Sequence, residues 1–450
     1  MKNEIKRIAI FTTEDFLPPY VGGAELAIKE ITQRMPDVHF DLYVARLRRK
    51  NPSLLKTASA PFNKGRIPKE ETIGNVTIRR IGFGCFLDKY LLSMFGARVA
   101  GKIHNGMKKR ALQNPPARGL ATSFSKGGIE SCGYDLVWAV MASYGGFAAS
   151  FFKKKNPDVP FLLTLQEGDS LEHIFKRLGI FKKLFYKIFE RADGIQAISS
   201  YLAEWKKFGF KGGDMNVRVI PNGVDVNNFQ FSIFNFQSRR QELRKELGIG
   251  EGEKVVITTS RLEKKNAVDV LIKAMGEISN FKFPISNLQN GKLEAKLRLL
   301  IVGSGSEEKE LKELAEKEGI AERTIFVPFL PHEKIPEYLS VADVFVRVSR
   351  SEGLGNSFLE AMAVGLPIIG TPVGGIPDFL KDGQTGLFCK MEDADDLAEK
   401  IKIILTDKNL HLRLSENGRN LVKEKYDWDI VASAMRKMFE DVGATLGRSE

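Results

Sequence analysis

Cysteine is scarce in this chain of 450 residues: Cys85, Cys132 and Cys389 lie far apart and form no CxxC pair. That usage excludes a disulfide scaffold and reads as free thiols in a reducing compartment. Histidine is as sparse, and His39, His104, His173, His332 and His411 are too scattered to form a metal box. Apolar runs are short. The uncharged stretch Val137–Phe152 is broken by Ser143, Gly145, Gly146 and Ser150, and falls short of the roughly 20 residues that cross a bilayer. Met1–Ile10 has charge and one strand-like apolar run rather than the pattern of a signal peptide. A cytoplasmic protein without a membrane span is the expectation. No short-period repeat and no low-complexity tract is present.

What is present is an ordinary globular composition, 43% apolar and 28% charged, long enough for two domains. Charge is uneven: Met1–Asn222 holds 36 Lys/Arg against 20 Asp/Glu, or +16, and the remainder holds 32 against 36, or −4. A basic half fits an anionic surface or substrate, and equally a set of solvated lysines. Short apolar strands alternate with helical periods along the whole chain. Arg7–Phe11 precedes a Pro/Gly-rich loop with Pro18-Pro19 and a helix over Glu25–Arg34, and Lys254–Thr259 precedes a charged loop and a helix over Val268–Ile278. Phe40–Val44, Leu136–Met141, Phe161–Leu165, Gly194–Ile198, Leu297–Val302, Thr324–Val327, Val344–Val348 and Pro367–Gly370 continue the pattern. Strands that are nearly all apolar indicate parallel sheets covered on both faces. Two such sets predict two doubly wound α/β domains.

The boundary is expected at Pro221–Asp225, where Pro and Asn-Gly are turn chemistry, followed by a polar connection over Asn227–Arg244. Asn114–Gly133 and Phe281–Ala295 read as loop insertions. Phe175, Leu178, Phe181, Phe185, Ile188 and Phe189 have helical spacing, interleaved with Lys176, Arg177, Lys182, Lys183, Lys187 and Arg191. A basic amphipathic helix over 175–191 can lie on an anionic membrane, or bury its apolar face in the core. Arg46–Lys50, Lys108–Arg110 and Lys153–Lys155 add basic charge in the same half.

The sharpest motif runs from Ser349 to Ala363, out of an apolar strand and into a helix. Gly353, Leu354, Gly355, Asn356 and Ser357 fall at the helix start, where unpaired N–H groups and the positive dipole end favour an anion such as a diphosphate. Glu352 and Glu360 bracket that turn. Carboxylates accept strong hydrogen bonds and suit sugar hydroxyls, although taken singly each reads as an ordinary surface charge. Gly303-Ser304-Gly305 follows a strand but lacks the third glycine of GxGxxG, with Glu308 in its place, which disfavours a dinucleotide enzyme. No aromatic-basic motif supports nucleic-acid binding.

The Glu-x7-Glu element, with Ser-Arg-Ser-Glu-Gly before it and Glu-Ala-Met-Ala-x-Gly-Leu-Pro after it, resembles the retaining glycosyltransferases of family 4. Gly22-Gly23-Ala24-Glu25, Ile198–Leu202, Val219–Asp225, Ser260–Asn266, Pro372–Asp378, Asp382-Gly383 with Gly386, and Tyr426-Asp427-Trp428 extend the resemblance over most of the chain. It implies a GT-B fold: two Rossmann-like domains facing across a cleft, 1–222 for the acceptor and 223–425 for the nucleotide sugar, with a closing helix at about 426–445 packing back on the first. It further implies that Glu360 binds the donor ribose, that Glu352 holds the transferred sugar, and that Gly303 lines a donor-side loop. Arg261 would neutralise the diphosphate with a lysine, here Lys265 or Lys264, in place of a metal ion or other cofactor. The family's usual lysine position, five residues after the arginine, holds Asn266. Gly22 and Gly23 would approach the acceptor and phosphates. The family's histidine after the strand Phe161–Leu165 is replaced by Gln166, which cannot titrate near neutral pH, with Glu167 and Asp169 beside it to orient the acceptor or cap a helix. The expected activity is transfer of a hexose from a nucleotide diphosphate sugar to a glycan or lipid-linked acceptor, on the inner face of the membrane if the basic half binds it. A GT-B epimerase and a nucleotide-sugar binder without activity are the alternatives.

Overall fold

The computed structural model describes residues 5–13, 22–46, 68–83, 87–113, 133–207, 216–278, 283–284 and 294–444. Pro18-Pro19, Cys85, Cys132, most of Asn114–Gly133, most of Arg46–Lys50 and much of Phe281–Ala295 lie outside the described residues. The chain divides into one unit of Met1–Ile220 with Ala432–Glu450, and a second of Pro221–Val431.

In the first unit the strands are β1 (Arg7–Phe11), β2 (His39–Ala45), β3 (Glu70–Ile73), β4 (Val76–Ile81), β5 (Leu136–Val140), β6 (Phe161–Leu165), β7 (Gly194–Ala197) and β8 (Val217–Val219). They form one sheet in the order β3-β4-β2-β1-β5-β6-β7-β8. Every pairing is parallel except β3 on β4, an antiparallel edge that the apolar pattern did not forecast. The reason is visible in Glu70-Glu71-Thr72-Ile73: an exposed edge strand carries charge instead of an apolar run, which also discourages further pairing. Inner strands such as β5 and β6 are buried at every position, and each fully buried aliphatic or aromatic side chain contributes about 1.5–3 kcal/mol. The helix Trp428–Gly443 starts two residues later than expected and from Ala432 belongs to the first unit. There Phe439 meets the Trp138 ring edge-on at 5.2 Å between centroids.

The second unit contains β9 (Lys254–Thr259), the two-residue strands β10 (Phe283–Pro284) and β11 (Glu294–Ala295), β12 (Leu297–Val302), β13 (Thr324–Val327), β14 (Val344–Arg347), β15 (Ile368–Gly370) and β16 (Leu387–Phe388). Its main sheet is wholly parallel, in the order β13-β12-β9-β14-β15-β16. In both units strand order reverses beside the first strand, between β1 and β5 and between β9 and β14. Sheets of this kind bind ligands at that switch point, beyond the carboxyl ends of the strands.

Two sequence expectations are corrected. Asn227–Arg244 is not a connection but part of a helix, Val226–Glu246, capped by Asp225, whose Oδ1 accepts the Asn228 N–H at 3.0 Å. Among its described side chains Val226, Phe229 and Leu243 are buried. The helix over 175–191 is interrupted, with helices Leu171–Leu178 and Lys182–Arg191 joined by a tight turn at Gly179, φ 49°. Phe185, Ile188 and Phe189 are core residues, so the second segment turns its apolar face inward. Among the described residues no helix is long and apolar enough to cross a membrane.

Candidate functional site

The second unit gathers its chemistry at the β9/β14 switch point. After β9 the chain runs through Ser260 and exposed Arg261 to half-buried Lys265 and buried Asn266. This loop is braced from two sides. Asn266 donates from Nδ2 to the Arg261 carbonyl at 2.5 Å, and the Arg350 backbone N–H donates to the Lys265 carbonyl at 2.7 Å. The Arg350 side chain adds a fork to Asp269 at 2.8 and 2.9 Å and pairs with Glu392. These hydrogen-bonded carboxylates push its pKa further up, so it is a permanent cation that locks the loop to the next helix.

Gly303 and Gly305 follow β12 and press against the same loop. A Cβ at Gly303, whose φ is 140°, would enter the Ser260 carbonyl oxygen, and one at Gly305 would enter that of Leu262. Only glycine permits this approach. Gly303 therefore shapes the β9 loop.

From β14 the chain passes Ser349 to Glu352, turns at Gly353-Leu354-Gly355, and enters the helix Asn356–Val364. Gly355 has φ 98° and caps the helix without a side chain, so the first-turn N–H groups keep no side-chain acceptor. Gly353 and Leu354 are buried. Glu352 Oε1 accepts the Gly353 N–H at 3.1 Å. Its Oε2 lies 2.5 Å from Arg347 Nη2 but forms no aligned hydrogen bond. Glu360, one turn into the helix and 8% exposed, meets His332 Nε2 through Oε1 at 3.0 Å. Asn356 Oδ1 accepts from Asn222 at 3.3 Å, while its own Nδ2 is buried without a partner. Asn222 belongs to the Pro-Asn-Gly turn, which is itself fixed by Val224 N–H to the Tyr426 carbonyl at 2.8 Å. Glu352, Glu360, Asn356, Ser357 and the Arg261–Asn266 loop thus converge on one end of one sheet.

Arg347 and His332 are site neighbours that motif reading missed, while Asn222 and Gly374 stood in the Val219–Asp225 and Pro372–Asp378 motifs without a role assigned to them. Arg347 sits inside a strand and His332 on a loop far in sequence from Glu360. The only cue to Arg347 was a charge at the end of an otherwise apolar run.

In the first unit, Gly22 caps the helix Gly23–Gln33, and its N–H donates to Glu25 Oε2 at 3.4 Å. A Cβ at Gly22 would meet nothing within 4 Å, so protein packing does not demand glycine there. Across the switch point Thr13 Oγ1 and Ser143 Oγ are 3.1 Å apart. After β6, the half-buried Gln166 has both amide atoms enclosed and without partners. Asp169 lies 3.7 Å from Arg177. Glu167 faces inward: Oε1 accepts the Ala142 N–H at 2.5 Å and Oε2 the Gln166 N–H at 2.8 Å. It thereby holds the turn after β5, where Met141 takes φ 70°, a conformation that costs a non-glycine residue about 1–2 kcal/mol.

Burial raises the Glu167 pKa from 4.5 to about 7 despite those N–H groups. Between these values the native carboxyl binds a proton that the unfolded chain has released. Stability therefore falls as pH rises through that window, by about 1.4 kcal/mol per pH unit at most, and is level above it. Denaturant unfolding of wild type and Glu167→Gln from pH 4.5 to 8 is expected to show this fall in wild type alone. Parallel curves would mean that Glu167 does not titrate there.

Residues 239–421 match the family model described as glycosyl transferases group 1. Among curated proteins the chain is 31% identical over 253 residues to N-acetyl-alpha-D-glucosaminyl L-malate synthase of Bacillus anthracis, covering 56% of this chain and 61% of that protein. It is 28% identical over 265 residues to the GDP-mannose-dependent alpha-(1-6)-phosphatidylinositol monomannoside mannosyltransferase of Mycobacterium tuberculosis, covering 57% and 64%. The matched stretches thus span less than two thirds of these relatives. Among solved structures, Anabaena Alr3699/HepE in complex with UDP and glucose superposes with a TM-score of 0.69 at 17% identity, over 97% of this chain and 99% of that one. That likeness is one of fold, and the two parallel-sheet α/β units are those of GT-B glycosyltransferases. The match to the glycosyl transferases group 1 thus covers residues 239–421, within the second unit, and the likeness over the whole chain is to the GT-B fold.

Proposed function

We propose that this protein is a retaining glycosyltransferase of the family 4 type, transferring a hexose from a nucleotide diphosphate sugar to a glycan or lipid-linked acceptor. The observation that carries the reading is the convergence of Glu352, Glu360 and the open helix start at Asn356-Ser357 with the braced Arg261–Asn266 loop at a sheet switch point. Glu360 takes the ribose hydroxyls and Glu352 the sugar hydroxyls. Helix N–H groups, Arg261 and Lys265 face the diphosphate, so no metal or other cofactor enters the reading. The acceptor hydroxyl attacks the anomeric carbon on the face from which the diphosphate leaves. The bond from that carbon to the phosphate oxygen breaks, its electron pair stays on the diphosphate, and the acceptor proton passes to that oxygen. Charge stabilisation and positioning supply the rate. In the first unit Gln166, with its unpartnered amide, and Gly22-Gly23, with open space at Gly22, serve the acceptor, beside Asp169. Glu167 acts through the backbone it holds. The relatives' names, one dependent on GDP-mannose and one structure holding UDP and glucose, support the donor class.

The test is a panel of UDP-, GDP- and ADP-sugars without metal, measuring nucleotide release and donor binding for wild type and Glu352→Ala. Release from one donor, lost in the variant, identifies the donor. Binding without release, even with membrane lipids as acceptors, leaves a nucleotide-sugar binder. Release without glycoside product points to an epimerase, and no binding at all removes the reading.

For a lipid-linked acceptor the first unit offers one face. Phe83 is 83% and Met94 66% exposed, with Leu87, Tyr90 and Phe95 beside them in the same short segment. Exposed Arg98 and Lys102 follow, in the half of the chain with net charge +16. Apolar residues flanked by cations fit an anionic lipid surface, and this face is preferred to the 175–191 stretch, where Phe185, Ile188 and Phe189 are core. Co-sedimentation with vesicles containing phosphatidylglycerol is expected, weakened about tenfold in Phe83→Ser/Met94→Ser and by high salt. Equal binding of the double variant would exclude this face.

A further inference from the structure

Arg347 ends β14, next to β9, with a side chain only 13% exposed. An arginine so enclosed needs compensation for the water it gives up. Its partners all belong to the donor-side elements. Nε donates to Ser349 Oγ at 3.2 Å, Nη1 to Ser357 Oγ at 2.8 Å and Nη2 to Asn266 Oδ1 at 3.0 Å, and Nη2 also lies 2.5 Å from Glu352 Oε2. The three hydrogen bonds occupy three of the five N–H groups of a guanidinium, leaving one on Nη2 on the side of Glu352 and one on Nη1, beside the first turn of the helix that starts at Asn356. The Glu352 contact is a charge contact without an aligned bond, so the arginine does not spend its directionality on that carboxylate.

Asn266 is the loop residue that Arg347 meets. It is 3% exposed, uncharged, and at the end of the loop that also carries Arg261. Its amide joins the two arginines, giving Nδ2–H to the Arg261 carbonyl and taking the Arg347 N–H on Oδ1. The loop therefore presents a neutral side chain where it meets β14, and the strand sends in a cation to the same place. A departing diphosphate gains negative charge on its bridging oxygen, and fixed cations in an enclosed site stabilise it most.

We propose that Arg347 supplies a further positive charge to the diphosphate site, beside Arg261 and Lys265, at the place that Asn266 leaves uncharged. The inference rests on the transferase reading above. It places a binding and leaving-group residue inside a strand, where the loop motif does not extend.

The test moves the charge from strand to loop. With the donor identified by the panel, nucleotide release is measured for wild type, R347M, N266K/R347M and R347K, together with their melting temperatures. R347M is expected to lower kcat about 10²-fold, the cost of losing one such contact. N266K/R347M is expected to recover at least tenfold of that, because a lysine at 266 brings its ammonium to where Arg347 Nη2 now lies 3.0 Å from Asn266 Oδ1. R347K is expected to fall between the two. If R347M does not fold, R347Q, a polar side chain without charge, takes its place in both comparisons. An R347M enzyme as fast as wild type overturns the proposal. So does a folded R347M enzyme whose loss N266K leaves unrepaired, since a packing role is not restored by a charge on another element. Wild type that releases nucleotide from no donor instead brings down the transferase reading, before any variant is compared.

Discussion

Glu352→Ala is expected to reduce nucleotide release from the donor sugar by about 10²–10³-fold, the usual loss when one polar contact made at the reacting centre is removed. Affinity for the free nucleoside diphosphate should change less than about threefold, because the proposed function gives Glu352 to the sugar rather than the nucleotide. The geometry explains the separation. Its carboxylate is fixed on one side by the Gly353 N–H at 3.1 Å and carries its charge on the other beside Arg347. Alanine removes the acceptor and leaves the helix start intact. Glu360→Ala provides the contrast, expected to weaken nucleotide binding about 10–100-fold, in line with about 1.5–3 kcal/mol for hydrogen bonds to a charged group. Isothermal titration with nucleoside diphosphate and a turnover assay separate the two. If Glu352→Ala loses nucleotide affinity as steeply as turnover, the carboxylate acts by holding the loop and the assignment to the sugar fails.

The second large effect is expected at Gly374, which the substrate need not touch. Its φ is 55°, and a Cβ there would be driven into the carbonyl oxygen of Glu352. Gly375 donates its N–H to the same oxygen at 3.3 Å, so the Thr371–Gly375 loop and the Glu352 turn are packed backbone to backbone. Gly374→Ala must push the Glu352 turn away, and turnover should fall more than about 100-fold. The left-handed backbone alone costs an alanine about 1–2 kcal/mol, so a matched control is needed. Gly383 supplies it, with φ 68° and nothing within 4 Å of an added Cβ. Gly383→Ala should lower the melting temperature through strain and leave turnover near wild type. If both variants lose stability and keep activity equally, the packing of Gly374 on Glu352 does not govern the site.

These two residues differ in how far the sequence disclosed them. Glu352 and Glu360 were legible because a strand-to-helix turn compresses a site into fifteen consecutive residues, and the spacing of two carboxylates survives without coordinates. Gly374 was visible only as part of a glycine pair, since the backbone it meets lies more than twenty residues earlier. Arg347 was hidden by its strand: alternation and burial explain a strand residue so well that the side chain's destination goes unasked. His332 was hidden by distance, with 28 residues separating it from the Glu360 carboxylate it meets. The 175–191 stretch left two readings open, and the structure favours the core one. Its spacing was regular, yet Gly179 breaks the helix, and burial of Phe185, Ile188 and Phe189 turns the regular face inward.

By itself the sequence determined the alternation of apolar strands and helices, hence two doubly wound units, and it determined the loops in which the carboxylates and the glycines stand. These are local properties, set by periods of two and 3.6 residues and by the conformational reach of Pro and Gly. Tertiary structure alone decided which strands are neighbours, and therefore that β9 and β14 carry their loops to one switch point. It decided that Asn266 faces Arg347, that Glu360 meets His332, that Glu167 is spent on backbone N–H groups, and that Phe83, Leu87, Tyr90, Met94 and Phe95 are exposed. The physical reason is the same throughout. Charge and burial act over a few ångströms in space, and a sheet sets those distances by its strand order, which no local pattern in the chain contains.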